Sequence, residues 1–226
     1  MRLPHLAVLA FLGCRPSVLP VLPPDAATLT VEQVRPWVEA TQLRGHSIRQ
    51  FKWLFQDDRS SAGGDGAARV VAPDTLRFDA RGPLGWGRMA AFIVGDQPVW
   101  AEPEETVAQI VPDYVLFWAM FGVTRMPNAQ AKIRGLDDGR TQIWEYTVGG
   151  DTVVYSRSKE TPGKVTAEVR RNGRLFGRVE TRISADGLPV SAQLIVPDVP
   201  AQLDITFKST SAETSFPPET WLPPGP

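Results

Sequence analysis

One cysteine, two histidines and no apolar run approaching the length of a membrane span set the first limits on this 226-residue chain. A lone thiol, Cys14, has no second one to pair with, so no internal disulfide staples the fold. His5 and His46 are too few for a histidine-based metal centre, and no GxSxG, HExxH or CxxC pattern supplies an activated nucleophile or a zinc site. The acidic group Glu102, Glu104 and Glu105 reads as a helix N-terminus rather than an acid/base pair. Neither catalysis nor a cofactor is expected. Charge of neither sign dominates: 24 lysines and arginines face 25 aspartates and glutamates, for a formal net charge of -1. With no broad basic field, nucleic acid is not an expected partner. At 42% hydrophobic residues the chain has enough apolar material for one well-buried domain.

Cys14 closes a short leader. Arg2 supplies positive charge, Leu6 to Leu12 an apolar stretch, and Gly13 a small residue directly before the thiol. That is the layout of a secretory signal over residues 1-13, and the stretch is far shorter than the roughly 20 apolar residues of a spanning helix. The order resembles a bacterial lipoprotein lipobox, with Phe11 in place of the usual leucine, which implies lipidation of Cys14 after cleavage before it. Two plainer readings stand beside it: a buried core cysteine, and an ordinary secretory leader. Residues 14-27 carry Pro16, Pro20, Pro23 and Pro24, favouring an extended tether, and residues 28-226 remain for the domain.

The domain opens on a capping-box pattern, Thr30-Val-Glu-Gln33, with Val34, Trp37, Val38 and Leu43 at roughly helical spacing up to a stop at Gly45. Pro36 implies that this helix either begins near Arg35 or is kinked. From Ser47 the period changes to two. Phe51, Trp53 and Phe55 alternate with Lys52 and Leu54, and the same period runs through Leu76, Phe78 and Ala80; Val165, Ala167 and Val169; Leu175, Gly177, Val179 and Thr181; Val190, Ala192 and Leu194; and Leu203, Ile205 and Phe207. Asn172-Gly173, Asp186-Gly187, Gly149-Gly150, Gly95-Asp96 and Pro73-Asp74 supply tight turns, while Arg59 to Gly66 reads as a solvated hairpin tip. The fold class is mainly β (α+β): about eleven antiparallel strands in meander order, curved into a half-barrel or closed. Arg77, Asp79, Arg81, Arg178, Glu180 and Arg182 on the outer face exclude a lipid-embedded barrel.

One segment interrupts the strands. Pro103-Glu-Glu starts a helix that runs to Pro112, and Val115 to Gly122 is apolar on every side. These two helices are expected to form a lid over the concave sheet.

A lipobox, a proline-rich tether, an N-terminal helix, a strand meander, helices inserted midway and the proline-rich end around Phe216 to Pro224 together resemble the LolA/LolB-type lipoprotein-carrier superfamily, over about residues 28 to 222. The resemblance is architectural and rests on no invariant motif. It implies an unclosed barrel whose helix-covered concavity holds acyl chains of lipids or lipoproteins such as a C16 chain. With an anchor at Cys14 and Arg15 after it, it also implies an outer-membrane lipoprotein facing the periplasm, with a periplasmic carrier protein as partner. The hydrophobic ligand-binding residues expected are Phe51, Trp53, Phe55, Leu76, Phe78, Phe117, Trp118, Phe121, Trp144, Val169 and Val179. Small inward residues (Ala80, Ala167, Gly177, Ala192) leave room for a cavity, unless the large aromatics fill it. In Gly82 to Gly87, Leu84 and Trp86 match the membrane-contact loop of LolB-like receptors; the alternative is that both fold back under the sheet. A non-transporting envelope module for protein interaction or stress sensing is the rival functional reading.

Overall fold

The strict alternation of Ser47, Arg49, Phe51, Trp53 and Phe55 places five side chains on one face of an eleven-residue strand, and all five are buried while Gln50, Lys52, Leu54 and Gln56 face outward. The computed structural model describes residues 21–82 and 87–224, so Cys14, Leu84 and Trp86 lie outside the described residues. Within them the order is β1 (Ala27–Leu29), α1 (Val31–Glu39), β2 (His46–Gln56), β3 (Ser61–Val71), β4 (Thr75–Arg81), β5 (Arg88–Val94), β6 (Gln97–Glu102), α2 (Glu104–Ile110), α3 (Tyr114–Met120), β7 (Lys132–Asp137), β8 (Thr141–Val148), β9 (Asp151–Ser158), β10 (Gly163–Arg171), β11 (Arg174–Ile183), β12 (Pro189–Val196) and β13 (Ala201–Glu213).

All thirteen strands form one antiparallel sheet, an unclosed half-barrel with β1 and β6 at its edges. The expected meander exists in two blocks, β2 to β6 and β7 to β13, and β2 pairs with β13 to join them. Leu203, Ile205 and Phe207 stand opposite Phe55, Trp53 and Phe51, so that seam is a row of inward apolar pairs. Turn chemistry acts as expected at β10–β11, where Asn172 (φ 51°) and Gly173 (φ 79°) take the left-handed conformations of a two-residue hairpin.

Several expectations need correction. The capping box at Thr30 forms, with Gln33 N–H donating to Thr30 Oγ1 and Thr30 N–H to Gln33 Oε1, so α1 begins at Val31 with Pro36 inside it. It ends at Glu39, well before Gly45. Ser61 to Gly66 is strand, not hairpin tip: β3 starts at Ser61, and a Cβ on Gly66 would run into the Phe51 ring of β2. Register shifts displace two inward assignments. At β10–β11, Val169 pairs with Gly177 and Arg170 with Leu175, so Phe176 is the extra residue and packs on the core in place of Leu175. At β11–β12 the extra residue is Val190, which is 46% exposed.

The convex face is partly covered. The C-terminal segment crosses it through a 3-10 turn at Pro218–Trp221: Arg77 donates to the carbonyls of Thr220 and Leu222, and Trp100 Nε1 to that of Trp221. At the other end Leu22 is buried, and Arg134 donates to the carbonyls of Pro23 and Pro24, so the proline-rich segment is docked at its last residues.

Candidate functional site

The two inserted helices lie over the concave face, but they are held very differently. In α3, five consecutive residues, Leu116 to Met120, are buried. Asp113 caps it by accepting from the N–H groups of Val115 and Leu116, and its second oxygen pairs with Arg171 at 3.0 Å. Trp118 Nε1 donates to Gly95 O (2.7 Å), Thr181 Oγ1 to Ala119 O (2.7 Å) and Arg49 Nη1 to Phe121 O (3.2 Å). Beyond the helix, Arg125 reaches Asp96 and Asp74, and the backbone N–H of Arg125 donates to Tyr155 Oη. Burial pushes the Tyr155 hydroxyl well above the usual phenol range and raises that of Tyr146 beside it. Both remain neutral donors and acceptors at physiological pH.

By contrast, α2 buries Val107 alone; Ile110 is half-buried and the rest is exposed. No side-chain cap starts it, and among the described residues its side chains form no hydrogen bond or ion pair with the sheet. Local stability follows buried contacts and polar ties, so α3 is a fixed wedge and α2 the more easily lifted of the two helices.

Over β10 to β12 the small inward residues Ala167, Gly177 and Ala192 are buried beneath α3 rather than left as a cavity. α3 packs across β10, β11 and β12, and a Cβ on Gly177 would lie 2.6 Å from Leu116 Cδ1. Gly177 is thus the seat of the wedge. An apolar void of about 20 Å³ lies between β2, β4, β5, β13 and the ends of both helices. Five of the expected ligand-binding residues line it: Phe51, Trp53, Phe78, Phe117 and Phe121. Ile110 and Val111, at the end of α2, close it. A void of that size holds about one water, not an acyl chain. Trp53 Nε1 is buried beside it without a partner.

The other expected residues belong to the same core but not to the void. Trp118 is turned toward the β5–β6 turn, and Arg125 stacks over its ring at 5.4 Å. Trp144 packs edge-on against Trp37 of α1 (5.8 Å) and at a tilt against Tyr155 (5.3 Å). Phe55, Leu76, Val169 and Val179 are buried within the sheet's inward layer.

At one end of the concave face a second space opens, a cleft of about 670 Å³ bounded by the start of β2, the β9–β10 and β11–β12 hairpins and the residues after α1. Phe121 lines both this cleft and the void. Arg49, an inward residue of β2 that is 6% exposed, also lines it. Desolvation lowers its guanidinium to about 10, which leaves it charged at neutral pH. The signal was present in the sequence, because Arg49 is the one charged residue in the inward series from Ser47 to Phe55.

Solved structures share this architecture. A LolA superfamily protein from Nitrosomonas europaea superposes with a TM-score of 0.53 at 9% identity, covering 86% of this chain and 98% of its own. A domain assigned to outer membrane lipoprotein sorting from Vibrio parahaemolyticus gives 0.53 at 9% identity, with 85% and 95% covered. A DUF1329 family protein from Desulfovibrio piger gives 0.53 at 8%, with the same coverage. No protein-family model and no curated protein matches the sequence. The chain has a LolA-like fold.

Proposed function

We propose that this protein is a non-catalytic envelope protein that binds an acyl chain of a lipid or lipoprotein against the concave face, beneath α2. The observation that carries this reading is the contrast between the two helices: a lightly held α2 closes an aromatic-lined space that a firmly held α3 borders on its other side. Lifting α2 uncovers the side of the void lined by Ile110 and Val111 and gives access to Phe51, Trp53, Phe78 and Phe117. Each methylene then buried contributes about 0.8 kcal/mol, so a C16 chain needs no polar recognition to bind.

The closed state competes with binding, because a ligand meets its site only in the fraction of molecules with α2 displaced. Val107→Ser, which removes the one buried anchor of α2, should raise the apparent affinity for a fluorescent fatty acid by several-fold, up to about tenfold, with a modest loss of global stability. Native extraction followed by mass spectrometry should find lipid bound to the purified protein. No co-purifying lipid and no titratable binding in either chain would defeat the reading. That outcome would favour a protein-interaction module, the alternative for which the nearly filled interior speaks.

Attachment to the outer membrane through Cys14 belongs to the same reading and is supported by the leader pattern alone. Cys14→Ser should move the protein from the membrane fraction to the soluble fraction or leave its leader uncut, since two or more acyl chains anchor stably where one is marginal. Unchanged fractionation with normal cleavage excludes the anchor.

A further inference from the structure

Arg49 is a buried cation without an anion. Its guanidinium offers five N–H donors, and the hydrogen bond it makes among the described residues is the one from Nη1 to Phe121 O. Nε is buried without a partner, and no carboxylate of the described residues lies within ion-pair distance. Burying a charge without compensation is costly, and a single neutral carbonyl offsets little of that cost. The cleft that Arg49 lines shares its sign. Arg44, Arg157, Lys159 and Lys164 border it, against Glu160 and Asp186 at exposed hairpin positions. Lys159 and Lys164 have carboxylate partners in Asp137 and Glu180, whereas Arg157 donates to the neutral Gln142. Phe121 then connects the cationic cleft to the apolar void, and Phe51, two residues along the same face of β2 from Arg49, lies on the void side.

We propose that this cleft is an oxyanion site in which Arg49 binds the acidic head group of an amphiphile whose tail lies beneath α2. The inference rests on the acyl-chain reading and adds to it the chemistry of the ligand's polar end. Phosphate and carboxylate share that chemistry: both accept from the Nε and Nη edge of a guanidinium in a forked geometry. The head replaces the missing counterion, and the tail follows Phe121 into the aromatic layer. An uncharged lipid satisfies only half of such a site.

The test compares dodecyl phosphate, dodecanol and inorganic phosphate on the full chain, each below its self-association concentration, by titration calorimetry. Dodecyl phosphate should bind about tenfold or more tightly than dodecanol, and inorganic phosphate should compete with it weakly. In Arg49→Met the ratio of the two amphiphile affinities should fall to near one. Arg157→Gln should reduce it by a smaller factor. Equal affinities for the phosphate and the alcohol in the natural chain overturn the oxyanion site while leaving acyl binding in place. Binding of neither amphiphile overturns both readings, and binding of inorganic phosphate alone overturns the link between head and tail. Should Arg49→Met fail to fold, the salt dependence of the natural chain decides. A preference for the phosphate that stays flat between about 50 and about 500 mM salt is not that of a cationic cleft open to solvent and counts against the site.

Discussion

Trp118→Asp should leave the protein unfolded, or close to it, in water at room temperature. Trp118 is 0% exposed at the centre of α3, and its Nε1 donates to Gly95 O, tying the wedge to the β5–β6 turn. Truncating a buried tryptophan costs about 3–5 kcal/mol through lost contacts and the void left behind. Aspartate adds an unpaired buried carboxylate, and together the two effects rival the whole stability of a typical domain, about 5–15 kcal/mol. Trp118→Phe separates the terms: it keeps an aromatic ring in place but orphans the Gly95 carbonyl, for an expected loss of about 1–3 kcal/mol. Urea unfolding followed by circular dichroism measures both. A midpoint for Trp118→Asp close to that of the natural chain would show that α3 is not part of the folded core.

The fold was legible wherever one face of the chain meets water. β2, β4 and β13 alternate because each has one covered and one wetted side, and Asn172-Gly173 marks the end of β10, where Thr166 and Glu168 on the expected outer face are buried as well. Three features escaped for identifiable reasons. The β13–β2 seam joins strands nearly 150 residues apart in the chain, and no local pattern encodes a partner at that distance. β3 reads as a loop because Gly63, Gly64 and Gly66 lack side chains; at Gly66 that lack accommodates the Phe51 ring, and at Gly64 the close approach of the β4 backbone at Arg81. Bulges at Phe176 and Val190 reverse the faces of Leu175 and Val190, and a strict period of two cannot anticipate an extra residue. For the site, the aromatic residues expected to bind a hydrophobic ligand are buried, but burial alone does not separate those around the void from those packing on α1 or the β5–β6 turn. Arg49 was visible as an exception to the inward pattern, and its significance depended on which carboxylates the tertiary fold brings near it.

The small inward residues raise the question of what replaces the expected cavity, and Gly177 gives the answer its sharpest form. Gly177→Val should destabilise the protein by about 1–3 kcal/mol, because the new Cβ falls 2.6 Å from Leu116 Cδ1 and the added methyl groups occupy the seat of α3. Leu116→Ala alone should cost about 2–5 kcal/mol, since Leu116 is fully buried and its removal leaves the seat empty. Together the two changes should cost less than their sum by about 0.5–3 kcal/mol, as the valine methyls refill space that the shortened side chain vacates. Denaturant midpoints for the four chains of this cycle supply the coupling. Strict additivity would mean that Leu116 and Gly177 do not share one packing site, and the small residues of β10 to β12 would then have to be explained by something other than the wedge they carry.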